Sequence, residues 1–595
     1  MYSKNIKGYE TPIINTHLNK QFQEDFNMNM PRPEHPTPQW ERSNWRNLNG
    51  TWEFEFDFGA SGRDRRMYEN GTFTKTIEVP FCPESKLSGI GYTDFIPAAW
   101  YRRTFAITEQ ELGGRVLLHF GAVDYRSYIY INGTLAGTHR GGYSSFAVDI
   151  TDYCRAGENT VVVCAEDNSR DPMIPCGKQS KQFYSAGCDY TRTTGIWQTV
   201  WLEFVPNERI TTFRLFPDAK NSSLCAEVKT IGTGVLRAEA FYEGKSVGVA
   251  EKTVVGETCN LEISLSEQHL WEIGCGRLYD LVLTFGEDRV ESYFGLRDIR
   301  YENKKFYLNG KSVFQRLVLD QGFYPDGIYT APSEEDLIKD IEISMAVGFN
   351  GARLHEKVFE PLFLYHADRL GYLVWGEYPN WGLDHSYAEC IYSILPEWLE
   401  EVERDFNHPA IIGWCPFNET WDQNGRKQYD DALALVYHAT KAADPTRPCI
   451  DTSGNYHIIT DVYDVHDYLQ DPAQFAEHFS DYNEFGTMSN NIGKRQHYDG
   501  KLPFFVSEYG GIRWSEDPSG WGYGNAPKTE EEFKARFKAL TDVLLDDERI
   551  FALCYTQLYD IEQEQNGLYT YDRRPKFENM QPLYDAMARK AAIED

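Results

Sequence analysis

Two glutamates in the second half of the chain each come at the end of a short apolar run. Glu419 ends the segment IIGWCPFNE, and Glu508 directly follows FFVS. Runs of this length and content predict buried strands, and strands of one barrel bring their carboxyl ends to a common mouth. Two carboxyls about 5 to 5.5 Å apart are what double-displacement glycoside cleavage requires. A purely structural alternative is that Glu419 caps the next helix and Glu508 pairs with Arg353, but the paired placement favours chemistry.

Further polar side chains lie at or next to the ends of apolar runs: Arg353, His355, Glu377, Asn418, His466 and Tyr468. Asn418 could bind the sugar hydroxyl next to the reacting carbon, an interaction that strengthens in the transition state. Arg353 and Tyr468 could orient the second glutamate, because a nearby cation or donor favours a carboxylate. Glu377 could bind sugar hydroxyls, and His355 is either a substrate contact or a satisfied structural group.

Five tryptophans fall in or after the same strand ends: Trp375, Trp381, Trp414, Trp421 and Trp514. A flat indole can stack on a sugar face while its N–H donates a hydrogen bond. Most aromatic side chains are core, so we expect two or three of the five to contact substrate, with Trp381 and Trp514 as the candidates.

The elements that must position these residues occupy 299–595. About eight apolar strands, with PCIDTSG counted among them, alternate there with amphipathic helices, which predicts a (β/α)8 TIM barrel. Ser333 can cap one helix, and Thr529 with Glu532 forms the capping-box pattern before another. We therefore expect the catalytic domain to be this barrel.

The residues before the barrel are rich in β patterns. After an irregular, Pro-rich opening through Pro38, residues 1–205 contain short strand-like runs such as RVLLHF and TVVVCAE, separated by turn pairs. This spacing predicts an antiparallel jelly-roll β-sandwich. Residues 206–298 contain a second group, including GVLRAEAFYEG and LYDLVLTFG, of a size that predicts an immunoglobulin-like β-sandwich.

The composition argues against several kinds of partner. The formal net charge is −31, whereas nucleic acids and anionic membranes bind clustered cations. The opening segment has no signal-peptide core, and no stretch approaches the roughly 18 apolar residues of a membrane span. The twelve cysteines lack metal-ligand spacing, which favours free thiols in a reducing cytosol. We expect a cytoplasmic protein without a metal site that binds neither nucleic acid nor membrane.

Long segments around these residues resemble glycoside hydrolase family 2, which includes β-galactosidases, β-glucuronidases and β-mannosidases. In the barrel these are GFNGARLHEKVFEPLFLYHADRLGYLVWGEYP, WCPFNETW and VSEYGG. Nearer the start, RSNWRNLNGTWEF, WYRRTF and TTGIWQTVWLE are similar to the family's sugar-binding jelly roll. The likeness covers nearly the whole chain. It implies Glu419 as acid/base, Glu508 as nucleophile and Asn418 as the contact to the 2-hydroxyl. It also supports three further groups in direct contact with the substrate: Arg353, His355 and Tyr468.

The chain departs from the family pattern where the sugar is recognised. Family β-glucuronidases carry an Asn-x-Lys pair whose Lys meets the sugar carboxylate, and here Glu564 and Asn566 stand in its place. A uronic acid would meet a carboxylate there, which argues against a glucuronidase. Large β-galactosidases have a His where this chain has Gly511, and the segment RLVLDQGFYPDGIYTAP replaces one rich in Asn and His.

The sequence predicts a retaining exo-enzyme that removes a terminal β-linked neutral sugar from an oligosaccharide or glycoside without a cofactor. β-Galactosidase is the leading specificity, and β-mannosidase, β-galactofuranosidase and arabinosidase are alternatives. A different class is a sugar-binding protein that has lost catalysis, which the presence of both glutamates argues against. The two β domains could also serve in assembly or build a homo-oligomer.

Overall fold

The computed structural model describes residues 30–479 and 498–594, so most of the predicted irregular opening lies outside the described residues. Its first domain contains α1 (Met67–Asn70) and the strands β1 (Trp45–Asn47), β2 (Gly50–Phe56), β3 (Lys75–Val79), β4 (Ala98–Ile107), β5 (Arg115–Phe120), β6 (Val123–Asp124), β7 (Arg126–Ile131), β8 (Thr134–Arg140), β9 (Phe146–Asp149), β10 (Gly157–Glu166), β11 (Gly195–Ile196) and β12 (Val200–Val205).

Ten of these strands form a sandwich of two antiparallel sheets, and β6 pairs with β11 in a separate two-stranded sheet. One sheet has the order β1-β12-β5-β9 and the other β3-β2-β4-β10-β7-β8. In β5 every second side chain is buried, namely Val116, Leu118 and Phe120, and this alternation turns one face of the sheet toward the core. RVLLHF is therefore a strand as predicted, and the two-sheet arrangement agrees with the predicted sandwich.

The second domain is a smaller two-sheet sandwich. Its strands are β13 (Arg209–Asp218), β14 (Ser223–Ile231), β15 (Gly234–Tyr242), β16 (Lys245–Val254), β17 (Thr258–Ser264), β18 (Leu278–Phe285) and β19 (Asp288–Gly295). They form sheets in the orders β13-β14-β17 and β16-β15-β18-β19 around a separate core. The predicted strands GVLRAEAFYEG and LYDLVLTFG correspond to β15 and β18, and the immunoglobulin-like assignment stays a prediction.

The third domain opens with a small sheet of β20 (Ile299–Glu302), β21 (Lys305–Leu308) and β22 (Lys311–Ser312). Its main strands are β23 (Gln315–Asp320), β24 (Gly351–Leu354), β25 (Leu373–Glu377), β26 (Ile411–Cys415), β27 (Tyr463–Asp467), β28 (Phe504–Gly510) and β29 (Ile550–Thr556). The helices between and after them are α2 (Glu334–Ala346), α3 (Pro361–Leu370), α4 (Ile391–Asp405), α5 (Asp430–Ala443), α6 (Pro472–His478), α7 (Glu530–Leu545) and α8 (Gln581–Met587).

The seven main strands form one parallel sheet in the order β26-β25-β24-β23-β29-β28-β27. The segment PCIDTSG, predicted as a further strand, lies in the gap between its two ends. It forms isolated parallel bridges to the β26 side, Trp414 to Cys449 and Asn418 to Ser453. On its other side, the Asp461 N–H donates to the Cys449 carbonyl at 3.0 Å. An irregular segment thus takes the place of the eighth strand.

The helix ends follow the sequence signals closely. The Ser333 side chain accepts from the Asp336 N–H at the start of α2, and Thr529 accepts from the Glu532 N–H at the start of α7. Glu532 accepts in turn from the Lys528 N–H rather than from that of Thr529. No helix among the described residues is both long and apolar enough to span a bilayer.

Candidate active site

Two carboxylates and an imidazole meet at the mouth of the barrel. Glu419 lies beyond the end of β26, His466 belongs to β27 and Glu508 to β28. One oxygen from each glutamate and a ring nitrogen of His466 all lie within 4.8 Å of one another. The parallel register of β27 and β28 pairs His466 with Glu508. The barrel therefore brings together the two glutamates that the sequence singled out.

Glu419 is fixed by its backbone as well as by its side chain. Its φ of 48° is left-handed, and its N–H donates to the Ser453 carbonyl at 2.9 Å. Its carboxylate accepts from His466 Nδ1 at 2.7 Å and from Trp421 Nε1 at 3.3 Å. Burial alone would raise the pKa of Glu419. The hydrogen bond and charge of His466, with the charge of Lys178, hold that pKa below its usual value instead.

Glu508 is surrounded by donors. Arg353 Nη1 donates to its Oε1 at 3.1 Å, the Tyr468 hydroxyl donates to its Oε2, and His466 Nδ1 lies 3.4 Å from Oε2. Burial would lower the pKa of His466, but Glu508 and Glu419 raise it above its usual value. The raised pKa favours a protonated imidazole between the two carboxylates. The pairing of Arg353 with Glu508, foreseen as a structural alternative, coexists with this arrangement.

Glu377 contacts protein groups with both of its carboxylate oxygens. Arg353 Nε donates to one, and His355 Nδ1 lies 3.0 Å from the other. Burial lowers the pKa of His355 well below its usual value and raises that of Glu377. Both residues are at most 2% exposed. Glu377 thus orients Arg353, and His355 Nδ1 also lies 4.0 Å from Glu508 Oε1. The predicted sugar contacts of Glu377 and His355 stay predictions.

Asn418 combines a fixed carbonyl oxygen with an amide group that has no partner. Its backbone N–H donates to Asn380 Oδ1 at 2.6 Å, and its Oδ1 accepts from Arg353 Nη2 at 3.2 Å. Its buried Nδ2 has no hydrogen-bond partner among the described residues. A buried donor without a partner is costly, so this amide is suited to a hydroxyl supplied by a ligand.

Three of the five tryptophans are held by packing. Trp375 and Trp414 are at most 1% exposed, and their indole N–H groups donate to Gln315 and Asp444, respectively. The ring of Trp514 packs against two phenylalanines, Phe533 and Phe577. No described contact links Trp514 to the glutamate pair, and its predicted contact with substrate stays a prediction. Trp381 and Trp421 are the two at the mouth.

The mouth also receives side chains that the sequence analysis missed. Lys178 belongs to the first domain, and its Nζ lies 3.5 Å from the centroid of the Trp381 ring. Glu356 accepts from the Trp381 N–H at 3.0 Å, and the Tyr190 hydroxyl donates to Glu564. A sequence signal existed, since the segment between β10 and β11 is far longer than an ordinary connection and long loops are often functional.

Family models match two of the three domains. Residues 45–206 match "Glycosyl hydrolases family 2, sugar binding domain", and residues 299–513 match "Glycosyl hydrolases family 2, TIM barrel domain". The resemblance inferred from the sequence motifs is confirmed.

Relatives carry two kinds of name. A beta-glucuronidase of Streptococcus agalactiae serotype V is 26% identical over 81% of this chain and 87% of its own length. A beta-galactosidase of Thermoanaerobacter pseudethanolicus is 27% identical over 70% of this chain and 54% of its own length. A Formosa agariphila relative is 27% identical over 63% of this chain, and the match spans 46% of that relative. The chain thus spans about half the length of two of these relatives.

A solved structure is similar over most of the chain. The Ruminococcus gnavus β-glucuronidase in complex with D-glucuronic acid superposes with a TM-score of 0.76 at 19% identity, covering 94% of this chain and 100% of the other. At this identity the likeness demonstrates a shared fold.

Proposed function

Because the chain belongs to glycosyl hydrolase family 2 and is a glycoside hydrolase, we propose that it removes a terminal β-linked sugar with net retention. The observation that carries this proposal is the separation of the two carboxylates, whose oxygens approach within 4.8 Å. Retaining enzymes hold their carboxyls about 5 to 5.5 Å apart, whereas inverting enzymes leave about 6.5 to 9.5 Å for a water molecule. An approach of this size fits the retaining separation and is shorter than the inverting one.

In this proposal Glu508 is the nucleophile. Arg353 and Tyr468 donate to its two oxygens and aim it at the anomeric carbon. Attack forms the bond from Glu508 to the anomeric carbon and breaks the bond to the leaving oxygen, which takes its proton from Glu419. Water then attacks the anomeric carbon, gives its proton to Glu419 and releases Glu508. Asn418 Nδ2, which has no partner among the described residues, would donate to the sugar 2-hydroxyl.

The exo mode of action is supported by the loop from the first domain. Its Cys176 N–H donates to the Trp381 carbonyl at 2.7 Å, and the Trp521 indole N–H donates to the Gly187 carbonyl at 2.7 Å. These contacts fasten the loop across the barrel mouth on two sides. A mouth closed in this way suits the end of a glycan chain better than its middle.

Two sugar classes are candidates for the terminal residue. A neutral β-galactoside is the specificity proposed from the sequence, and the Thermoanaerobacter beta-galactosidase supports it. A β-uronide is the second candidate, supported by the Streptococcus beta-glucuronidase, whose match covers more of both chains. A cytoplasmic location is also proposed, since all twelve cysteines are free.

The test is hydrolysis of a panel of 4-nitrophenyl glycosides: β-galactopyranoside, β-glucuronide, β-mannoside, β-galactofuranoside and arabinosides. Glu508→Ala and Glu419→Ala should each abolish turnover of the preferred substrate. Added azide should restore activity to Glu508→Ala, with an α-glycosyl azide as the product. Proton NMR should find the β-anomer as the first product. A first product of α-configuration would refute retention, and full activity in Glu508→Ala would refute the assignment of the nucleophile.

A further inference from the structure

A long loop of the first domain delivers a lysine to the barrel mouth. Residues 167–194 connect β10 to β11, and the contacts of Cys176 and Gly187 described above fasten this loop to two barrel segments. Lys178 lies between these two anchors. Its position is therefore fixed by protein contacts that do not involve its own ammonium group.

Among the described residues, the ammonium group of Lys178 contacts the Trp381 ring but no hydrogen-bond acceptor. The residue is 6% exposed, and its Nζ forms neither a hydrogen bond nor an ion pair within the portion of the chain that the structure describes. Burial alone would lower its pKa, but Cys188, Glu564 and Glu419 raise it, so the group stays charged. Burying a charge without a partner is unfavourable. The Trp381 ring face compensates only in part, because a cation–π contact supplies no hydrogen-bond acceptor to the ammonium.

Glu564 and Glu356, two of the carboxyls whose charge raises the pKa of Lys178, have other hydrogen-bond partners. Glu564 accepts from the Tyr190 hydroxyl and from Asn566 Nδ2 at 3.1 Å, and burial raises its pKa. Burial raises the pKa of Glu356 well above its usual value, which favours the protonated form. A protonated carboxyl is itself a donor. Neither group forms a salt bridge with the lysine.

Further donors without partners lie on the same side of the mouth. The buried Nε1 of Trp381 and Nδ2 of Asn418 both lack a hydrogen-bond partner among the described residues. Together with the ammonium of Lys178 they place several unpaired donors on this side, where the Oε1 of Glu356 also lacks a hydrogen-bond partner among the described residues. A surface of this kind is complementary to a group that brings several acceptor oxygens and a negative charge.

We propose that Lys178 binds an anionic group of the substrate, so that the site selects a glycoside whose terminal sugar carries a carboxylate over its neutral counterpart. This inference rests on the proposed glycosidase activity and decides between its two sugar classes. It also answers the objection raised from the sequence, because an ammonium from the first domain compensates for the carboxyl of Glu564.

Matched substrates test the proposal. Two pairs of 4-nitrophenyl glycosides differ only at C6: β-galacturonide with β-galactoside, and β-glucuronide with β-glucoside. The wild-type enzyme should prefer the acidic member of at least one pair. Lys178→Met should lower the acidic-to-neutral ratio of kcat/KM about 10- to 100-fold, chiefly through KM, as expected for a lost charged hydrogen bond. Lys178→Arg should retain part of the ratio.

Lys181→Met is the matched control, because Lys181 is an exposed lysine of the same loop whose Nζ donates to the Gly382 carbonyl. It should leave the ratio unchanged. The proposal is overturned if the wild-type enzyme prefers the neutral member of both pairs. It is also overturned if Lys178→Met lowers kcat/KM equally for the acidic and the neutral member, as loss of a purely structural residue would. Calorimetry with D-galacturonate and D-glucuronate on Glu508→Gln tests binding without turnover. Binding that Lys178→Met removes supports the inference even where retention fails, and absence of binding overturns it.

Discussion

Replacing His466 by asparagine should move the pH dependence of the reaction toward alkaline pH. Its Nδ1 donates to Glu419 at 2.7 Å, and its raised pKa keeps it charged where Glu419 titrates. A hydrogen bond from a charged group contributes about 1.5 to 3 kcal/mol, a factor of about 10 to 150 in the protonation of Glu419. Only protonated Glu419 can protonate the leaving oxygen. Loss of the cation raises the pKa of Glu419, so more of the acid remains protonated above the optimum.

The measurement is kcat/KM against pH, because this parameter reports the free enzyme. On the alkaline limb, kcat/KM relative to its maximum should rise about 10- to 150-fold in His466→Asn. The maximum itself can fall, since the imidazole also orients Glu508. His438→Asn, at an exposed histidine of α5, should leave the limb in place. An alkaline limb that stays put or moves to lower pH in His466→Asn would refute the electrostatic reasoning.

Three further outcomes follow from individual contacts. Asn418→Ala should lower kcat/KM about 100-fold on the preferred glycoside and much less on its 2-deoxy analogue, because the lost bond is to the 2-hydroxyl. Burial opposes the charge of His457, but Asp451 and Asp464 raise its pKa to about 10. The stability that His457 contributes to the fold is therefore complete below about pH 6.5 and lost toward pH 10. Over that window the Tm of His457→Gln should fall less than that of the wild-type enzyme. Arg573→Met, which breaks a buried ion pair, should cost about 3 to 5 kcal/mol by calorimetry, against less than about 1 kcal/mol for exposed Arg574→Met.

The glutamate pair was predictable because, in a barrel, the position of a residue along its strand determines which end of the barrel it occupies. Parallel strands of a barrel end at one mouth, so a polar residue that ends an apolar run must lie near the others. Glu419, Glu508, Arg353 and Tyr468 all satisfy this rule in the structure. The rule does not tell which of these side chains face the mouth and which are enclosed behind it. Glu377 ends a strand too, yet its oxygens are used by Arg353 and His355.

Other features depend on contacts that no local pattern encodes. Trp375 and Trp414 stand in adjacent barrel strands, and their indole N–H groups donate to the buried acceptors Gln315 and Asp444. The segment at Cys449 reads as a strand, yet it forms only isolated bridges to its neighbour. Lys178 reaches the mouth because a loop of another domain folds over the barrel, and its charge decides the expected sugar. Sequence spacing within the barrel carries no information about that loop.

The two effects assigned to Lys178 make a joint prediction about the reaction. In the free enzyme its charge helps to hold the pKa of Glu419 down. If a substrate carboxylate pairs with Lys178, the anion offsets that charge, and the pKa of Glu419 should rise in the enzyme–substrate complex. The alkaline limb of kcat, which reports the complex, should then lie at higher pH than that of kcat/KM.

Neutral glycosides provide the comparison, because they bring no charge to Lys178 and the two limbs should lie closer together for them. In Lys178→Met the pH difference between the alkaline limbs of kcat and kcat/KM for the acidic glycoside should shrink toward the difference found with the neutral glycoside. Equal limbs for acidic and neutral substrates in the wild-type enzyme would mean that the lysine does not meet the anion. If the limbs separate as expected, binding of an acidic sugar itself raises the pKa of Glu419, so Lys178 both selects the substrate and prepares Glu419 for the first step.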